Sequence, residues 1–190
     1  LLLAESCRSK GYSVGICDIN AENLTELDLL NLVYRKEPKL ICFVVYGQNV
    51  NAGSVNMSGA VQAAKFLKNN TVLPPIALIG SHIQALPIQT LTEENCFDFG
   101  FTNEGVYSLW NVLLLKKITE TNLSKIKGLV SRINGKVIIT PPEKVVPNER
   151  MDIDLPGYAW DLLAYNNRPL DLYRSPMWHV EYDESKRSPY

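Results

Sequence analysis

Short continuous apolar runs and helically spaced apolar stripes take turns along this chain. Leu1, Leu2, Leu3, Ala4 and Cys7, followed by polar residues and then Gly11, predict a helix over residues 1–10 ended by a glycine. Residues 12–19 predict a strand with Asp18 at its end. Asn23 is placed to cap a helix over residues 24–36, where Leu24, Leu27, Leu30 and Val33 recur at helical spacing and Pro38 follows. Residues 40–45 are wholly apolar, the composition of a strand covered on both faces. Tyr46, Gly47, Gln48 and Asn49 end it in a polar loop. Ala60, Ala63, Ala64 and Leu67 mark one face of a helix over residues 58–69. Residues 76–79 form the next apolar run, which stops at Gly80, Ser81 and His82. A short helix or turn over residues 87–91, a strand over residues 97–101 and a helix over residues 106–115, with Leu109, Val112 and Leu113 inward, complete the repeat.

Strand–helix alternation of this kind predicts an α/β fold, a doubly wound (Rossmann-like or flavodoxin-like) parallel sheet with helices on both faces and right-handed crossovers. A helix already under way at Leu1 implies a first strand upstream of this stretch. Past Lys125 the pattern changes. Residues 128–140 predict a β-hairpin turning on Asn134-Gly135. Pro141, Pro142, Pro147 and Pro156 then punctuate a segment without clean periodicity. The expected organisation is a ligand-binding domain over residues 1–125, a hairpin extension over 126–140 and a linker over 141–190.

Charge removes several function classes. A net charge of −1 leaves no basic field for nucleic acid or an anionic membrane. No apolar run approaches the roughly 20 residues that span a bilayer. The four cysteines, Cys7, Cys17, Cys42 and Cys96, are scattered without a C-x-x-C pair, so no zinc or iron–sulfur site is encoded in this stretch. With no signal-peptide pattern, a reducing cytoplasm is the expected setting, and the N-x-S/T triplets at Asn23, Asn56, Asn69 and Asn122 read as chance matches.

Five blocks in order resemble the amino-terminal cobalamin (B12)-binding region of B12-dependent radical SAM proteins. The first helix with Gly11-Tyr12-Ser13-Val14 resembles that family's opening. The run from Ile79 through Gly80, Ser81 and His82 to Pro87 resembles its GG-x-H-x-x-x-x-P loop. Asp98 through Thr102, Asn103, Glu104 and Gly105 to Leu109 resembles D-x-x-x-x-G-E-G-E-x-x-L. Ile126-Lys127-Gly128-Leu129 with Asn134-Gly135 resembles I-x-G-L-x-Y-R-x-N-G, and Leu155 to Leu163 resembles the L-P-x-P-A-W-D-L-L connector before the radical SAM barrel. Two family glycines are replaced, by Ser81 and by Thr102.

The resemblance implies a corrinoid slot at the carboxyl ends of the strands. Its walls would be Tyr46, Gly47, Gln48 and Asn49, then Gly80, Ser81 and His82, then Thr102, Asn103, Glu104 and Gly105. Gln48 or Asn49 is the candidate to approach the cobalt face. The resemblance further implies a downstream barrel with a 4Fe-4S cluster and S-adenosylmethionine, whose C-x-x-x-C-x-x-C motif would lie beyond Tyr190. This stretch alone would then carry no catalytic residue, and the full-length protein would be a methyltransferase or related radical enzyme. His82 reads as a contact to the cofactor's periphery or as a loop histidine bonded to backbone. Glu104 reads as an amide acceptor or as a helix N-terminal carboxylate. Asp18 reads as a site residue or as a cap of the next turn, Asp98 as strand or turn chemistry, Trp160 and Trp178 as packing anchors to a next domain or as cofactor stackers, and His179 as a solvated or interface residue. A flavodoxin-like ligand-binding or signalling domain without cobalamin, and half of a nucleotide-sugar transferase, share the same pattern. The absence of G-x-G-x-x-G and of a P-loop argues against dinucleotides and nucleoside triphosphates.

Overall fold

Among the described residues five strands form one sheet in chain order: β1 (Ile41–Val45), β2 (Ile76–Gly80), β3 (Phe99–Phe101), β4 (Leu129–Ile133) and β5 (Lys136–Ile139). The computed structural model describes residues 1–46, 50–70 and 74–164. Gly47, Gln48, Asn49, Trp178 and His179 lie outside them. β1, β2 and β3 are parallel, with Ile41 opposite Ile76 and Ala77 opposite Phe99. β4 and β5 continue the sheet antiparallel, so the hairpin is the far half of the same sheet. Asn134 (φ 50°) and Gly135 (φ 77°) make its turn, both left-handed as a two-residue hairpin turn requires.

Helices cover both faces. On one face lie α2 (Glu26–Lys36), α3 (Val50–Asn70), α4 (Ser81–Ala85) and α5 (Pro87–Glu93). They pack Leu29, Val33, Ala64, Leu67, Ile83 and Leu91 against Ile76, Leu78 and Val130. On the other lie α1 (Leu2–Arg8), α6 (Val106–Leu114) and α7 (Glu120–Leu123), which pack Cys7, Leu109, Val112 and Leu123 against Ala77, Ile79, Phe99, Phe101 and Leu129. The side chains of β2 alternate between the two layers and Ile76 to Ile79 are each 0% exposed, which is why its sequence is an unbroken apolar run. The four alanine and leucine positions named for α3 are all buried.

Three expectations are corrected. Residues 12–19 contain no strand. They are extended, and their side chains alternate, Tyr12 and Val14 toward one layer, Cys17 and Ile19 toward the other. A strand is defined by its ladder, though, and no described neighbour supplies one. Asn23 does not cap α2. It takes a left-handed φ of 51°, and Thr25 is the cap, its side chain accepting from Asp28 N (3.2 Å) while its N–H donates to the Asp28 carboxylate (3.0 Å). The Gly80–His82 stretch is not an open loop either, because α4 begins at Ser81 directly after the strand.

Polar side chains tie these elements together. Asp98, at the entry to β3, accepts from Ile76 N (2.7 Å) and pairs with Lys68 (2.5 Å). Asp18 accepts from Ala21 N (3.0 Å) and so shapes the turn before α2. Arg132 of β4 donates to the carbonyls of Phe97 (2.6 Å), Glu94 (3.1 Å) and Leu91, closing the end of α5 and the approach to β3. All four cysteines are free, and burial pushes the Cys7 thiol up to about 11, so it stays protonated and packs as an apolar group. No helix among the described residues is long and apolar enough to cross a membrane.

Candidate functional site

Parallel strands present their carboxyl ends, with the loops and helix starts that follow, along one rim, and ligands of open α/β sheets bind there. In this chain the rim carries Tyr46 after β1, Ser81 to Leu86 after β2 and Thr102 to Gly105 after β3. Gly80 shapes it. Its φ is +137°, and a Cβ built there would lie 1.8 Å from the carbonyl oxygen of Val45. Glycine thus lets the ends of β1 and β2 close on each other, and backbone approach to a ligand is not what requires it.

Gln84 is the rim's central polar group, and it was not among the residues singled out from the sequence. Its Nε2 donates to the carbonyl of Asn103 (2.7 Å) and lies 3.5 Å from the Tyr46 hydroxyl. It thereby joins the ends of all three parallel strands. Tyr46 is half-exposed, and burial of the remainder raises its pKa, which keeps the hydroxyl protonated and able to donate. Ser81 is exposed on the same rim. Leu86, 44% exposed, adds an apolar edge.

The residues after β3 are engaged elsewhere. Asn103 accepts from Gly105 N (2.9 Å) and donates to the carbonyl of Glu143 (3.0 Å). Glu104 accepts from Val146 N (2.5 Å). Thr102 N donates to Gly128 O (2.9 Å). Gly105 is buried with φ +81°, where a Cβ would meet Ile79 Cδ1 at 2.4 Å. Asn103 and Glu104 therefore hold the segment that follows the hairpin against the start of α6, and neither side chain is directed into the rim. Asn103→Ala is expected to cost about 1–2 kcal/mol in denaturant unfolding, from two lost hydrogen bonds, with the sheet retained in circular dichroism.

His82 goes a third way. It lines an open cleft of about 600 Å³ with Met57, Val61, Lys65, Thr90 and Glu94, between α3 and α5. His82 and Gln84 thus leave the same short helix in different directions. Among the described residues, no group of three or more His, Cys, Asp or Glu side chains is arranged to hold a metal ion.

The connector after β5 is docked, not loose, along its described length. Asp154, 1% exposed and near the end of α8 (Met151–Asp154), accepts two bonds from Arg150 (2.8 and 3.0 Å), one from the Tyr107 hydroxyl (2.8 Å) and a longer one from Lys10 (3.4 Å). Ser6 donates to its backbone carbonyl (2.6 Å). Arg150 foremost, then Tyr107, holds its carboxyl down to about 2 against the opposing effect of burial. Arg8 pairs with Asp161 (2.6 Å), and Trp160 stands half-exposed beside Tyr158, ring centres 5.4 Å apart. The anchoring on α1 joins residues about 150 positions apart and that on α6 residues 47 apart, separations no local pattern encodes. No family model matches this chain, and no curated protein matches it.

Proposed function

We propose that this chain is the cobalamin-binding module of a B12-dependent radical SAM enzyme. The observation that carries the reading is the rim itself. Two of the five resembling blocks fall at the carboxyl ends of adjacent parallel strands, and the connector block is held against the same domain. A corrinoid is broad and amide-rimmed, and its amides call for hydroxyl and amide partners beside an apolar edge. Tyr46 and Ser81 offer hydroxyls, Gln84 a carboxamide and Leu86 an apolar edge. These four are the residues that would hold the cofactor's periphery. Asn103 and Glu104 fit less well, since the connector already uses them. When bound, methylcobalamin supplies a methyl group for transfer to a substrate radical generated in a downstream barrel. The work of these residues is to orient the ring through its amides and to keep the Tyr46 proton in place as a donor.

The test is to mix the purified full-length protein with hydroxocobalamin, desalt it and record the visible spectrum. Corrinoid bands should remain with the protein, and Gln84→Ala combined with Tyr46→Phe should weaken retention about tenfold or more, as expected for the loss of at least one good hydrogen bond. A full-length protein that emerges colourless sinks the proposal. A second reading, a flavodoxin-like domain for another ligand, is favoured by the connector's hold on Asn103 and Glu104. Retention of flavin mononucleotide with no corrinoid would establish it.

A further inference from the structure

β1 is an edge strand with the composition of a central one. Ile41, Cys42, Phe43, Val44 and Val45 carry no charge, yet Val44 is 59% exposed and no described residue pairs with the strand's outer side. Natural sheets blunt an exposed edge with charge, proline or a bulge, and β1 has none of these. Ile41 N–H points to β2, where it meets Pro75 O at 3.1 Å. In a parallel ladder successive residues bond to opposite sides, so the N–H groups of Cys42 and Val44 face the free edge.

Residues 12–19 present the complementary deficit. Their side chains alternate between the same two layers as those of β1, Tyr12 and Val14 with Leu40 and Cys42, Cys17 and Ile19 with Ile41 and Phe43. The segment therefore lies in the plane of the sheet. Yet residues 13–17 make no backbone hydrogen bond with any described residue. Two extended stretches in one sheet plane, each with a row of backbone groups that no described residue pairs, fit a sheet in which one strand is lacking between them.

The helix layers say which strand. The crossovers from residues 12–19 through α2 to β1, from β1 through α3 to β2, and from β2 through α4 and α5 to β3 all use one face and step across the sheet in one direction. α1 lies on the opposite face. Crossovers of one hand on the opposite face must step in the reverse direction. A strand feeding α1 and then residues 12–19 consequently stands on the β1 side of those residues.

We infer that the sheet takes a sixth, parallel strand between residues 12–19 and β1, contributed by residues that enter α1 from its amino-terminal side. Its carboxyl end would stand beside Tyr46, where the crossovers change direction, and would complete the rim in its middle. This follows from the backbone alone and does not depend on which ligand the rim holds.

Amide hydrogen exchange tests it. The protein beginning at Leu1 is compared with the protein extended by the residues its own gene encodes ahead of Leu1. In the shorter form the Cys42 and Val44 amides should exchange freely while those of Ile41 and Phe43, bonded to β2, are slow. In the extended form Cys42, Val44 and residues 13–17 should slow by about a hundredfold or more. Val44→Pro gives a second readout, because its missing N–H faces only the new strand. It should barely change the melting temperature of the shorter form and clearly lower that of the extended one. Slow exchange at Cys42 and Val44 in the shorter monomer overturns the inference, since the edge would already be paired. Protection that rises with concentration alongside dimer formation overturns it in favour of a second copy. Unchanged exchange in the extended form, or the absence of coding residues ahead of Leu1, overturns it outright.

Discussion

Gly80→Ala should lower the melting temperature by roughly 6–12 °C, the shift that about 3 kcal/mol produces in a domain of this size. Two costs coincide at this residue. A φ of +137° is a conformation that side-chain-bearing residues avoid, and the added methyl would sit 1.8 Å from a backbone oxygen of β1. Backbone cannot rotate aside as a side chain can, so relief requires the ends of β1 and β2 to separate. The loss should therefore reach the rim, and any ligand held there should be released more readily. Gly15→Ala is the matched control. Gly15 has no positive φ and nothing within 4 Å of a built Cβ, so that variant should melt with the parent protein. Equal melting of the parent and Gly80→Ala would show that the closure of β1 on β2 is not required.

Asp154→Asn should free the connector while leaving the sheet folded. The substitution keeps the size of the side chain but leaves Arg150 and Lys10 without a counter-charge at a buried point. Trypsin cleavage at Lys144 and Arg150 should speed up about tenfold or more, with strand amides still protected. Acidity should act on the same contact. The folded carboxyl, held down to about 2, lies below the ordinary value of about 3.9, so the native state favours the ionised form. Its contribution is complete above about pH 5 and is lost as pH falls from about 4 through about 2. The parent protein should thus gain a protease-sensitive connector across that window, and Asp154→Asn should be sensitive throughout with no such step. A connector equally resistant in both proteins would place its attachment elsewhere.

What was legible in the sequence is what short-range periodicity controls. The unbroken run of β2, the small-residue face of α3 and the Asn134-Gly135 turn each follow from neighbours within a few positions, and each stands where the pattern put it. Thr25-Glu26-Leu27-Asp28 carried a capping-box spacing that outweighs the lone Asn23. Pairing is a different matter. Residues 12–19 have strand composition and strand alternation, and whether they join a ladder depends on chain that is distant in sequence. The site divides the same way. The placing of polar groups at strand ends was readable. That Asn103 and Glu104 would turn to residues about 40 positions onward, that His82 would face α3, and that Gln84 would bridge β1 and β3 depended on contacts the local pattern does not carry.

The three carbonyls closed by Arg132 belong to residues made 35 to 41 positions earlier. During synthesis the end of α5 and the approach to β3 must therefore wait for their donor, roughly 2–8 seconds at ordinary rates of chain elongation. Until then those three carbonyls lack the Arg132 guanidinium as a partner. The arrival of the hairpin ends that interval, so the step that adds the last two strands is also the step that closes this end of the parallel half.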